Sequence, residues 1–188
     1  MVAGSCTAVE GRRAEMTTSH RSLQEFRGDG YEKGRPVVVQ ILWLAVSEMI
    51  VMRWWCPVSI RIMMLRMFGA RIGQRVIIRQ RVRIHWPWKL SIGDSCWIGE
   101  GAWILNLEPV SIGHDVCISQ EVLVCTGSHN FQSPTFEFDN GPILIEDGVW
   151  IAARSTILRG VKIGRNALVG ATALVTRDVL PGSRIYAD

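Results

Sequence analysis

The sequence has only two tyrosines and five phenylalanines, no C-x-x-C pair, and no apolar run long enough to cross a bilayer. Its five cysteines, Cys6, Cys56, Cys96, Cys117 and Cys125, are odd in number and widely spread. Neither a disulfide framework nor a zinc knuckle is indicated, and a reducing cytosol fits best. The first 35 residues interleave Glu10, Arg12, Arg13, Glu15, His20, Arg21 and Glu25 without a stretch of signal-peptide character, so no secretion signal is read. Met16 could start the chain as well as Met1, which would make residues 1–15 an upstream extension. The longest apolar run, Val37 to Met52, carries Gln40, Ser47 and Glu48. A bilayer span needs about 20 apolar residues, so this run reads as a helix packed on something. What the sequence does have is tryptophan, eight of them, together with 18 glycines and a net charge of +4 in 188 residues. That length and a 20% charged fraction describe one globular domain that turns often. The charge leans towards phosphates or a membrane face. Nucleic acid is not expected, because no basic stripe interleaved with aromatics lies along one element.

Past Gly69 a period of six takes over. Aliphatic residues recur at Ile72, Ile78 and Ile84; at Ile92, Ile98 and Ile104; at Ile112, Ile118 and Val124; at Ile145, Ile151 and Ile157; and at Ile163, Val169 and Val175. Two positions before most of them stands a second inward-sized residue, as at Cys96, Ala102, Val116 and Ser155. Glycine often follows directly, as at Gly73, Gly93 and Gly113, where a tight corner favours the absence of Cβ. The period breaks after Ile84, after Ile104 and, by fifteen residues, after Val124, always behind a third hexad. A helix period of 3.6 would smear this pattern around the axis, and a strand period of two does not produce it. A parallel β-helix with three flat faces does. The expected fold is therefore an all-β main domain, a β-helix of about five three-hexad coils, behind an N-terminal helical segment. A second short helix follows Pro57, with Val58, Ile62 and Leu65 on its packing stripe and Arg61 and Arg66 facing away. Both helices either cover an end or flank of the prism or rest on a membrane interface through Trp43, Trp54, Trp55 and flanking arginines. The chain thus divides into a flexible arm (1–35), a helical cap or membrane-leaning segment (36–69) and the β-helix domain (70–188) with an extended loop at 126–142.

Over residues 70–180 this pattern resembles the hexapeptide-repeat acyltransferases. The segments QILWLAV, MLRMFGARIG, HWPWKLSIGD and VCTGSHN resemble their sugar O-acetyltransferase branch, in particular the colanic acid biosynthesis acetyltransferases. The resemblance implies left-handed coiling, against the general right-handed crossover preference, and a homotrimer with active sites between subunits. It also implies acetyl-CoA as acyl donor, no metal, and a saccharide acceptor, lipid-linked in exopolysaccharide biosynthesis. The setting it implies is the cytoplasm, with peripheral contact at the inner face of the membrane.

The extended loop reads TGSHNFQSPTFEFDNGP, and a long excursion from a compact repeat is usually functional. A sugar hydroxyl needs a base to lose its proton near pH 7, and an imidazole with a pKa near 6.5 suits that work. In the family the histidine of this loop removes the proton, which makes His129 the expected catalytic base. His20, His85 and His114 read as solvated or structural. No two histidines stand close in sequence, as they do in the carbonic anhydrases that share this fold. Asn106 matches a corner asparagine that the family sets against substrate; the competing reading is a corner residue that satisfies its own turn. Ala153 in VWIAARS, and Ala171, Thr176 and Arg177 in LVGATALVTRD, match positions the family uses along coenzyme A. Glu137 and Asp139 either contact acceptor hydroxyls or keep the loop soluble. Two features depart from the family. Ala152 replaces a glycine, and the sequence ends at Asp188, where the family continues into a Gly-x-Pro-Ala turn that closes over coenzyme A, so part of the donor site is expected to be missing. Two other functions fit the same residues: a non-catalytic trimeric scaffold, and acetylation of a small hydroxylated or amino-sugar compound such as an antibiotic.

Overall fold

In the structure, a computed structural model that describes residues 23–187, the period of six winds into a three-sided parallel β-helix. Met16, His20 and the proposed extension 1–15 lie outside the described residues. The first coil holds β1 (Arg71–Ile72), β2 (Ile77–Ile78) and β3 (Arg83–Ile84). The second holds β4 (Leu90–Ile92), β5 (Trp97–Ile98) and β6 (Trp103–Leu105). The third holds β7 (Val110–Ile112), β8 (Cys117–Ile118) and β9 (Leu123–Cys125). The fourth holds β10 (Ile143–Ile145), β11 (Trp150–Ile151) and β12 (Thr156–Ile157). The fifth holds β13 (Lys162–Ile163), β14 (Leu168–Val169) and β15 (Leu174–Val175), and β16 (Arg184–Ile185) opens a sixth. Sheet one is β1-β4-β7-β10-β13, sheet two β2-β5-β8-β11-β14-β16, and sheet three β3-β6-β9-β12-β15.

Register stacks like on like. Ile78 pairs with Ile98, Ile98 with Ile118, Ile118 with Ile151 and Ile151 with Val169. Every aliphatic residue of the repeat is buried, each contributing about 1.5–3 kcal/mol of apolar burial. The glycines that follow are required by close approach: a Cβ on Gly93 would lie 2.5 Å from the carbonyl oxygen of Gly113 in the next coil. Left-handed backbone falls two residues later, at Arg75, Ser95 and Asp115 (φ 54°, 58° and 55°), none of which is glycine.

Stacking leaves one end of the prism open. Backbone groups pair between coils in both directions, as from Ile77 N–H to Cys96 O and from Ser95 N–H to Gln74 O, both at 2.8 Å, but alternate carbonyls of the first coil, those of Ile72, Ile78 and Ile84, point to the open end where no further coil stacks. Helix α1 (Val37–Val46), a π-helical turn at Ser47–Val51 and helix α2 (Val58–Met67) close this end. Three side chains supply the missing donors, one for each sheet. Arg66 Nη2 donates to Ile72 O at 2.8 Å, Arg61 Nη1 to Ile78 O at 2.6 Å and Trp43 Nε1 to Ile84 O at 3.2 Å. Arg61 is only 2% exposed and donates also to the carbonyls of Val51, Arg53 and Cys56. The expectation that Arg61 and Arg66 face away from the packing is therefore corrected: an exposed carbonyl edge needs donors, and guanidinium groups supply several at once. The single helix expected over Val37 to Met52 also divides, the α-helix ending at Val46 before the π-turn.

Candidate active site

All three breaks of the repeat fall on one edge of the prism, where the chain passes from sheet three to sheet one. His85 to Lys89 follow β3, Asn106 follows β6, the loop 126–142 follows β9, Arg159 follows β12, and Thr176 and Arg177 follow β15. Residues far apart in sequence therefore share one edge.

The long loop leaves the edge and folds back on itself. Asn130 N–H donates to Glu137 O at 2.8 Å, Asp139 N–H to Ser128 O at 2.9 Å, and Gly141 N–H to Thr126 O at 3.0 Å. His129 sits inside this fold-back. Its Nδ1 lies 2.9 Å from the carbonyl oxygen of Phe136. A carbonyl can only accept, so Nδ1 is the donor, and in the neutral tautomer that this bond selects Nε2 is the nitrogen with the lone pair. The ring stacks on Phe136 (centroids 4.3 Å apart, planes 5° apart) and on Phe138 at 5.0 Å. Phe136 adopts φ 52°, an uncommon conformation for a bulky residue, and it turns its carbonyl towards the imidazole.

Residues 26–35 were expected in a flexible arm; here they run along the same edge. Phe26 meets His129 edge-on at 5.4 Å and Phe138 at 5.2 Å. Tyr31 packs on Phe138 and accepts a hydrogen bond from the Trp86 indole, and Trp88 Nε1 donates to Lys33 O at 2.7 Å. Between this arm and the loop lies a cavity of about 740 Å³, lined by Phe26, Arg27, Asp29, Thr135, Glu137 and Phe138. Two of those residues, Phe26 and Phe138, touch the His129 ring, which places the cavity beside the imidazole.

On the other side of the loop's root, Asp139 is ion-paired with Arg159 of the fourth coil. Asp139 is therefore a clasp between the loop and the prism, a role neither sequence reading of it included. Arg159 and Thr176 line a smaller cavity of about 220 Å³ with Gly127 and Ser128. Thr176 also borders a cavity of about 570 Å³ with Arg177, Asp178 and Tyr186. Thr176 is common to both cavities, which therefore adjoin along the edge between the neighbours of His129 and Arg177. Asp178 Oδ1 accepts from the Lys162 N–H at 2.8 Å. Adjoining cavities bordered by an exposed cation fit an extended carrier with phosphates at one end.

The remaining expected residues lie elsewhere. Ala153 stands between β11 and β12, and Ala171 between β14 and β15, at the opposite edge of sheet three. One chain does not bring them to His129. Asn106 is on the His129 edge but fully buried, accepting from Trp86 N–H at 2.9 Å and donating to Trp86 O at 2.6 Å. Its amide fixes the corner on which Trp86 meets Tyr31. His114 accepts from Asp94 N–H at 3.0 Å on a different edge, and His85 packs against Trp86 with ring centroids 4.2 Å apart. No group of three or more histidine, cysteine or carboxylate residues among the described residues is placed to hold a metal ion.

A prism of hexapeptide coils carrying a histidine-bearing loop on one edge is the form of a hexapeptide-repeat transferase. Residues 142–177 match the family described as bacterial transferase hexapeptide (six repeats), and residues 89–120 match the hexapeptide repeat of succinyl-transferase. The WcaF protein of Escherichia coli (strain K12), whose name assigns it to colanic acid biosynthesis as an acetyltransferase, is 36% identical over 156 residues, 80% of this chain and 82% of its own. Galactoside O-acetyltransferase of the same strain is 30% identical over 115 residues, 60% of this chain and 57% of its own. Among solved structures, a hexapeptide-repeat acetyltransferase of Vibrio cholerae O1 biovar eltor, complexed with acetyl-coenzyme A, superposes with a TM-score of 0.76 over 88% of this chain and 93% of its own, at 23% identity. The chain belongs to the hexapeptide-repeat acetyltransferase family.

Proposed function

We propose that the protein is an acetyl-CoA-dependent O-acetyltransferase that acetylates a saccharide hydroxyl in exopolysaccharide biosynthesis. The observation that carries this reading is the His129 imidazole, held by the Phe136 carbonyl in the tautomer of a base, with a cavity on each side of its loop. The name of the WcaF relative supports the exopolysaccharide setting. The acceptor occupies the cavity between the arm and the loop, where Phe26 and Phe138 offer ring faces to a sugar and Asp29 and Glu137 accept from its hydroxyls. The donor lies across the two adjoining cavities, past Thr176 to Arg177, whose charge offsets phosphate. When bound, the thioester supplies an acyl group open to attack by oxygen. His129 Nε2 accepts the proton of the attacking hydroxyl and holds it as imidazolium until it is given up to the departing sulfur.

Ala153 and Ala171 join the site from a neighbouring copy. Both edges border sheet three, so a three-fold assembly that turns this sheet inward sets the Ala153 edge of one copy beside the His129 edge of the next. The homotrimer is part of the proposal for this reason. So is a lipid-linked acceptor met at the inner face of the membrane, with the enzyme on the cytoplasmic side. Among the described residues no helix is long and apolar enough to cross a membrane.

Calorimetric titration of acetyl-CoA with light scattering tests this reading. It predicts about one donor per chain in a trimer, followed by thiol release when a saccharide acceptor is added. No donor binding by folded trimer would overturn it and leave a scaffold. Thiol release with a small amino-sugar or antibiotic acceptor alone would replace the saccharide.

A further inference from the structure

The end of the prism closed by α1 and α2 carries an unusual outer surface. Gln40, Trp43, Ser47 and Val51 face the coils, at the spacing of one helix face. The opposite face of α1 is apolar. Val38 is 76% exposed, and Val37, Ile41, Leu42 and Met49 stand out beside it. Helix α2 adds Ile60, Met63 and Met67, and the turn between the helices projects Trp54, 81% exposed, and Trp55. A helix that already packs one face on the coils and exposes an apolar face on the other has a second surface to bury.

Charge decides what covers it. Between Arg35 and Arg83 the sequence has nine arginines and no lysine, against Glu48 as the one acidic residue. Arg61 is consumed in the interior, but Arg53, Arg66, Arg71, Arg75 and Arg79 are exposed around the capped end. Of all nine, only Arg81 forms an ion pair among the described residues, at 3.6 Å to Glu100. A second copy meeting this end face to face would set arginines against arginines. A bilayer rich in anionic lipid instead offers an apolar layer for the aliphatic residues, a boundary where indoles reside, and negative headgroups for the guanidinium groups.

We infer that the α1–α2 end of the prism is a docking surface for an anionic phospholipid membrane, with Trp54, Trp55 and the outer face of α1 inserted at the interface and the surrounding arginines on the headgroups. This deepens the membrane part of the proposed function and needs none of its catalytic part.

Co-sedimentation of the full chain with vesicles tests it, using either phosphatidylcholine alone or equal parts phosphatidylcholine and phosphatidylglycerol. Binding is expected to the mixed vesicles, to fall as salt is raised, and to be at least tenfold weaker on phosphatidylcholine alone. Arg53→Gln and Arg79→Gln should each weaken it about fivefold. Trp54→Ala combined with Trp55→Ala, and separately Ile41→Ser combined with Leu42→Ser, should weaken it more than tenfold. These residues are exposed, so the melting temperature, the number of copies by light scattering and thiol release with a soluble acceptor should not change. Absence of binding to the mixed vesicles, or binding indifferent to all of these substitutions, overturns the inference. A change in the number of copies also overturns it, since the face would then belong to a contact between chains. Loss of thiol release with vesicle binding intact would instead count against the catalytic reading.

Discussion

The imidazole Nδ1 of His129 lies 2.9 Å from the carbonyl oxygen of Phe136, seven residues further along the same loop. This one bond sets which nitrogen is free, and it depends on Phe136 holding φ 52°. Replacement His129→Ala should lower kcat by about 10² to 10⁴, with the melting temperature little changed because the ring is only partly buried. The tautomer itself is open to measurement. Nitrogen-15 chemical shifts of the neutral His129 ring should show a protonated Nδ1 and an unprotonated Nε2, and the reverse pattern would refute the base assignment.

The clasp between Asp139 and Arg159 predicts a separation of stability from activity. The pair is half exposed, so Arg159→Ala should cost no more than about 1 kcal/mol in global unfolding. The loop, however, loses its tie to the fourth coil. Proteolysis within residues 130–138 should accelerate and kcat should fall, because His129 is carried by that loop. A variant with unchanged loop proteolysis and unchanged kcat would show the clasp to be idle.

Asn106 separates a substrate contact from a corner support. Asn106→Ala removes both bonds to the Trp86 backbone inside a buried corner, a loss of about 1–3 kcal/mol. Thermal unfolding should report that loss, while kcat/KM per folded enzyme stays within a few-fold of the unsubstituted protein. A fall as deep as that of His129→Ala, without lost stability, would place Asn106 against the substrate.

Arg61 tests the closure of the prism. Burial pushes its guanidinium pKa down, yet the group remains in place because four carbonyls hold it. Arg61→Met keeps much of the volume and removes every donor. Four backbone oxygens then lose their partner, and the unfolding free energy should drop by about 3 kcal/mol or more. A loss below about 1 kcal/mol would mean that water replaces the guanidinium at this end.

These cases show what the sequence could and could not reveal. The coil architecture was legible because every aliphatic residue of the repeat obeys one spacing, and each takes its burial from the neighbouring coil. His129 was legible because a polar motif interrupts that spacing. Arg61 was not, since a helix stripe rewards apolar residues and gives no weight to the carbonyl edge beneath it. Arg159 and Phe26 were equally hidden. Each matters through a partner on a distant stretch of chain, Asp139 or His129, and only the shared prism edge brings them together. Phe136 had one faint signal, its place in the fold-back of a loop too long for the repeat.

His85 gives the chain a pH response of its own. Its pKa is lowered, first by burial and then by Lys33 and Lys89 nearby. The folded state thus favours the neutral ring, while the unfolded chain titrates near its ordinary value of about 6.5. Below that value the unfolded chain binds more protons than the folded one, so stability falls as pH drops and recovers as pH rises. His85→Gln removes the titrating group from the corner beside Trp86. Melting temperatures measured from about pH 7.5 down to about pH 5 should therefore decline more steeply for the unsubstituted protein than for His85→Gln. Because His20, His114 and His129 remain in both proteins, the difference between the two slopes isolates His85, and parallel slopes would remove it as the source.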